Sequence, residues 1–144
     1  MISETESRVL TLIEQHQADL IASLQQMIRY RTVTPDIEAR AEGDDYRAHQ
    51  KYIRTLLDNM GFETEMWEID AAQLEDAPGR GVRPEREMSG MPVVVGQLPS
   101  GKEGRSLILN GHYDVVPEGD TTLWAHPPYS ATIENGKMFG RGTA

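Results

Sequence analysis

The sequence contains no cysteine. That absence excludes a disulfide scaffold, a thiolate metal site and a cysteine nucleophile together, so any metal held here needs His, Asp or Glu. Positive charge is scarce as well: 14 Lys plus Arg stand against 23 Asp plus Glu, giving a formal net charge of -9 and a pI of about 4.8. A chain with this balance carries no electrostatic footprint for polyanions, and neither nucleic acid nor membrane is expected as a partner. No apolar run approaches the length that spans a bilayer, and MISETESRVL lacks a basic region followed by an apolar core. These features predict a soluble, cytoplasmic chain. At 144 residues it is long enough for one modest domain that buries roughly two thirds of its unfolded surface.

Ser3 and Glu6 stand at capping-box spacing, and apolar residues then recur at Val9, Leu10, Ile13, Leu20, Ile21, Leu24, Met27 and Ile28. The pattern predicts an amphipathic helix with a break near Gln15 to Asp19. RTVTP stops it, because Pro35 disfavours helical geometry at Thr34. After the polar loop EARAEGDD, a second helix is predicted from Asp44, with an inward stripe of Tyr46, His49, Ile53, Leu56, Leu57 and Met60 and with Gly61 as its cap. FETEMWEI reads as a strand, and residues 70 to 91 as a long loop or excursion. PVVVGQL and SLILN are continuous aliphatic runs, the pattern of strands buried on both faces. With helices before them, they predict the α/β class and a sheet covered on both sides. SATIENGKMFG reads as a hairpin turning on Asn135-Gly136.

His112 and Asp114 fall just past SLILN. In open α/β sheets, ligands gather beyond the carboxyl ends of strands. Residues two apart in extended backbone point to one side, so the carboxylate of Asp114 could hold the imidazole of His112 or share its surroundings. A neutral imidazole fixed in one tautomer is what a zinc ion needs as a ligand. H-x-D triplets also arise often by chance, so spacing alone leaves ligation and coincidence both open.

The flanking residues go further. GHYDVVP, followed by Trp124, then Pro127-Pro128-Tyr129, then NGKMFGRGTA, resembles the N-terminal part of the acetylornithine deacetylase, succinyl-diaminopimelate desuccinylase, aminoacylase and glutamate carboxypeptidase family of metallohydrolases. LIASLQQMIRYRTVTP is similar to that family's first helix and loop, and PVVVGQL with SLILNGHYDVVP to its paired core strands. Residues 36 to 91 match only loosely.

The resemblance implies part of a zinc-exopeptidase-like catalytic domain with a mixed sheet flanked by helices. It also implies a smaller lid domain, later in the chain, through which the family often forms homodimers. Two zinc ions, or cobalt or manganese in their place, are the implied cofactors. His112 matches the first metal-ligand histidine, and Asp114 the catalytic aspartate that orients it. The implied reaction is hydrolysis of the amide bond of small N-acylated amino acids or peptides: a metal-bridging water, deprotonated by a glutamate, attacks a polarised carbonyl. In the family, GRG-x-x is followed at once by a bridging aspartate, whereas this sequence ends at Ala144. The expectation is therefore that residues 1–144 form the N-terminal portion of the catalytic domain, without the lid and with one ligand histidine, and that this portion alone is inactive. The alternative is a truncated, catalytically dead relic or an interaction module. No substrate-binding residue is assignable.

Other candidates have plainer readings. Trp124 beside its prolines is expected to pack. Gly140, Arg141 and Gly142 could shape a loop at the site, with Arg141 as readily an ion-pair partner as a substrate contact. His16, His49 and His126 are expected on an exposed helix face, a packing stripe and a proline loop, not as ligands. Asp44-Asp45 and Glu75-Asp76 lack the spaced oxygens of a calcium loop and read as helix-start and solvated loop charges.

Overall fold

At the start of the chain the Ser3 hydroxyl accepts the Glu6 N–H while the Glu6 carboxylate accepts the Ser3 N–H, so two donors that a helix leaves unpaired are satisfied reciprocally. This opens α1 (Glu4–Gln15), and α2 (Gln17–Ile28) follows, the predicted break falling at His16. The computed structural model describes residues 2–34, 44–70 and 89–143. Its further elements are α3 (Asp45–Asn59), β1 (Glu63–Glu68), β2 (Pro92–Gln97), a single 3-10 turn (Thr121–Leu123), β3 (Thr132–Glu134) and β4 (Lys137–Phe139). Two compact units result: Met1–Arg29 with Asp120–Ala144, and Tyr30–Gly119.

In the first unit, α1 and α2 are joined by the β3–β4 hairpin, whose register pairs Thr132 with Phe139 and Glu134 with Lys137. Asn135 and Gly136 take φ of 51° and 74°, the positive values that match a two-residue turn to the twist of its strands. Gln25 Nε2 donates to the Ala131 carbonyl at 2.8 Å, tying α2 to the hairpin. Gly140 fits where a side chain does not, since a Cβ there would lie 2.7 Å from Ile28 Cγ2. The apolar stripe of the first helix is less covered than its periodicity predicts. α1 buries no residue, and Val9, Leu10 and Ile13 stay about half exposed.

The second unit is α3 laid on the antiparallel β1–β2 pair, in which Glu63 faces Gln97 and Glu68 faces Pro92. Tyr46 and Met91 form its buried core, with Tyr113 packed against them. α3 ends as glycine there requires. Gly61 (φ 86°) donates its N–H to Asp58 O, and Phe62 donates to Leu57 O, the paired bonds of a Schellman cap. Met60, placed by periodicity on the inward stripe, is instead 64% exposed, because it is the capping residue, where the helical face no longer continues.

The α/β class holds, with the strands arranged as two two-stranded antiparallel sheets. A parallel bridge between Val33 and Val115 adds a second strand direction. Two expectations for the aliphatic runs change. β2 is only half-buried beyond Pro92, because β1 is its one ladder partner among the described residues. SLILN forms no strand, and Leu107, Ile108 and Leu109 are 81%, 87% and 86% exposed. A continuous aliphatic run encodes a demand for burial, but a covering layer and a ladder partner must be supplied from elsewhere. Most of EARAEGDD and of the 70–91 excursion lies outside the described residues.

Candidate metal-ligand site

The backbone around His112 and Asp114 is fixed by a short parallel pairing. Thr34 N donates to Val115 O at 2.8 Å, and Val115 N donates to Thr32 O at 2.8 Å. Beside them, Thr32 Oγ1 donates to Tyr113 O at 2.6 Å. Tyr113 then anchors the segment from within. Its hydroxyl donates to Pro92 O at 2.8 Å, and its ring stacks on His49 and meets Tyr46 edge-on, with centroids 5.3 and 5.5 Å apart. Burial holds the Tyr113 phenol in its neutral form, helped by the neighbouring Asp114 carboxylate. Since neighbouring residues of extended chain face opposite ways, a core-facing Tyr113 puts residues 112 and 114 on the outer side.

There the expected pair forms. His112 Nδ1 lies 3.2 Å from Asp114 Oδ1 and 3.0 Å from the Asp114 main-chain carbonyl. Both neighbours only accept hydrogen bonds while the carboxylate is ionised, so the geometry calls for a hydrogen on Nδ1 and leaves the lone pair on Nε2. The other carboxylate oxygen, Oδ2, accepts from Thr34 Oγ1 at 2.8 Å. The imidazole side chain is 85% exposed and that of Asp114 48%. What the pair offers is thus an outward nitrogen donor with its tautomer set from behind. A cavity of about 240 Å³ adjoins the carboxylate, with apolar walls from Tyr46, Ile69, Met91 and Val93 and polar atoms from Thr34 and Asp114.

The other candidates fall where packing or pairing occupies them. His49 is buried against Tyr113 and Tyr30, and burial lowers its pKa, favouring the neutral ring. Its Nδ1 has no hydrogen-bond partner among the described residues. His16 pairs with Asp19 on the exposed helix surface, and His126 Nε2 lies 3.3 Å from Glu134 Oε2 with its ring against Phe139. Asp45 Oδ2 accepts the Arg31 N–H at 3.1 Å, a local tie at the start of α3. Glu75-Asp76 lies outside the described residues. The Arg141 guanidinium sits 4.9 Å over the Trp124 ring, so the tryptophan packs as expected. Among the described residues, no three His, Asp or Glu side chains converge as a metal site.

Sequence reasoning missed Thr34, reading it only as part of a helix stop. The available signal was the period-two alternation Thr32-Val33-Thr34, which suits a strand edge better than a loop.

Comparison with known sequences adds a family pattern over the same stretch. Residues 108–144, which include His112 and Asp114, match the profile of Peptidase family M20/M25/M40. The chain is similar to N-formyl-4-amino-5-aminomethyl-2-methylpyrimidine deformylase of Halalkalibacterium halodurans, 29% identical over 138 residues, covering 94% of this chain and 27% of that protein. It is also similar to succinyl-diaminopimelate desuccinylase of Xanthobacter autotrophicus, 43% identical over 75 residues, covering 52% of this chain and 20% of that protein. The chain thus spans about a quarter or less of the length of these relatives. No helix among the described residues is long and apolar enough to cross a membrane.

Proposed function

We propose that this chain, whose residues 108–144 match the profile of peptidase family M20/M25/M40, contributes a metal ligand, His112, to an amidohydrolase acting on small N-acylated amino acids or peptides. The names of both relatives denote removal of an acyl group, formyl in one and succinyl in the other. The observation that carries the reading is the His112–Asp114 pair. Its Nδ1 is engaged by two acceptors while the side chain is 85% exposed. That donor chemistry fits a divalent metal of the zinc, cobalt or manganese kind, with one ligand supplied by this stretch.

Asp114 acts on the imidazole. An ionised carboxylate behind Nδ1–H raises the basicity of the opposite nitrogen and steadies the ring plane, so Nε2 is presented with little reorganisation. Tyr113, locked in the core between these two residues, keeps their backbone from swinging. His112 would hold such a metal through Nε2, and the ion would supply Lewis acidity toward a carbonyl and acidify a bound water.

The test is metal content measured beside turnover in the full-length protein, with N-formyl and N-succinyl amino acids as substrates. His112→Ala is expected to lose metal and nearly all hydrolysis while melting at the temperature of metal-free wild type, since the side chain is exposed. Asp114→Asn is expected to lose about 10- to 100-fold in metal affinity or activity. Full metal content and wild-type turnover in His112→Ala would remove the assignment.

A further inference from the structure

A carboxylate that is nearly half exposed does not hold one orientation unaided. The terminal torsion of an aspartate is broad, and water competes for both oxygens. Asp114, 48% exposed, nevertheless faces His112 Nδ1 with Oδ1. Its second oxygen is tied 2.8 Å from Thr34 Oγ1, a contact across 80 residues of sequence. Thr34 is itself immobilised, its N–H bonded to Val115 O, and its β-branched side chain has few χ1 choices. A hydroxyl has one hydrogen to give, and Thr34 gives it to Oδ2. Oδ1 is then left to accept the imidazole N–H together with the Asp114 main-chain carbonyl, 3.0 Å from Nδ1.

We propose that Thr34 is a positioning residue for this site: its hydroxyl sets the rotation of the Asp114 carboxylate and, through it, the Nδ1–H tautomer of His112. The inference rests on the reading of His112 as a metal ligand for its consequence, but not for its geometry. The aliphatic neighbour Val33 completes the bridge, whereas Thr32 serves the main chain by bonding Tyr113 O. The two threonines thus divide the work, one holding the strand and one the carboxylate.

The experiment compares Thr34→Val, Thr34→Ala and Thr34→Ser with wild type in the full-length protein. The His112 tautomer is read in metal-free protein by long-range proton–nitrogen NMR. Zinc affinity is read by competition with a chromophoric chelator. Thr34→Val, and Thr34→Ala should the valine disturb the bridge, are expected to shift His112 toward the Nε2–H form and weaken zinc binding about 10-fold, the lower end for an indirect partner. Thr34→Ser, which keeps the hydroxyl, is expected to retain both properties. A wild-type tautomer and zinc affinity in both Val and Ala variants overturn the role of Thr34, even where His112→Ala loses zinc. If instead His112→Ala binds zinc as tightly as wild type, the metal reading fails, and the tautomer ratio still decides the claim about Thr34.

Discussion

Placing one methyl group at Gly140 tests how tightly α2 meets the chain beside the hairpin. The added Cβ would stand 2.7 Å from Ile28 Cγ2 and 3.2 Å from Pro128 O. Carbon atoms pack at about 3.5–4.0 Å, so the overlap with Ile28 is about 1 Å. Neither neighbour yields easily. Ile28 is 6% exposed and stiff at its branched carbon, and Pro128 O already accepts the Arg141 N–H at 2.7 Å. Overpacking of this kind costs about 1–3 kcal/mol. Because Gly140 does not hold a left-handed φ, alanine recovers about 0.4–1 kcal/mol by restricting the unfolded chain, and the net loss expected is about 1–2 kcal/mol. Urea unfolding of Gly140→Ala, Ile28→Ala and the double variant gives the coupling directly. Removing Ile28 Cγ2 should relieve the clash, so Gly140→Ala should cost at least about 1 kcal/mol less in the Ile28→Ala background. Equal costs in the two backgrounds, or a neutral Gly140→Ala, would refute the steric argument.

Two further outcomes concern the unit around α3. His49 is buried and its pKa lowered from 6.5 by desolvation, so the unfolded chain takes up the proton first. Its contribution is full above pH 6.5 and is lost as pH falls below that value toward the lower folded-state value. Unfolding free energy should therefore fall as pH is lowered through 6.5 in wild type and fall less in His49→Phe; parallel pH profiles would contradict this. Gly61→Ala should cost about 1 kcal/mol in urea unfolding, since φ of 86° penalises a Cβ, whereas Gly61→Asn should cost less. Equal loss in both variants would point away from backbone conformation as the cause.

Local chemistry was the legible part of this sequence. The Ser3–Glu6 capping box, the break at His16, the Gly61 cap and the Asn135-Gly136 turn each depend on residues within a few positions of one another, and each formed as expected. The His112–Asp114 contact belongs to the same class, being separated by two positions. What escaped depends on distant chain. Thr34 meets Asp114 across 80 residues, and no pattern near Thr34 reveals that partner. Burial of SLILN was inferred from hydropathy, which records what a segment favours but not what stands beside it. The exposed stripe of α1 diverged for the same reason, since amphipathic periodicity defines a face without specifying its neighbour.

The bare aliphatic run has a colloidal consequence. Leu107, Ile108 and Leu109, with no proline among them and 81% to 87% of their surface open, form the sort of short window that stacks between molecules into cross-β aggregates. Charged gatekeepers limit such stacking when they flank the window closely. Lys102, Glu103 and Arg105 stand on one side of this run, and on the other the nearest fixed charge is Asp114. The carboxylate that faces His112 Nδ1 is thus also the fixed charge nearest this run on its C-terminal side. Asp114→Asn is expected to aggregate at lower protein concentration than wild type; light scattering beside an unchanged melting temperature would separate contact between chains from loss of fold.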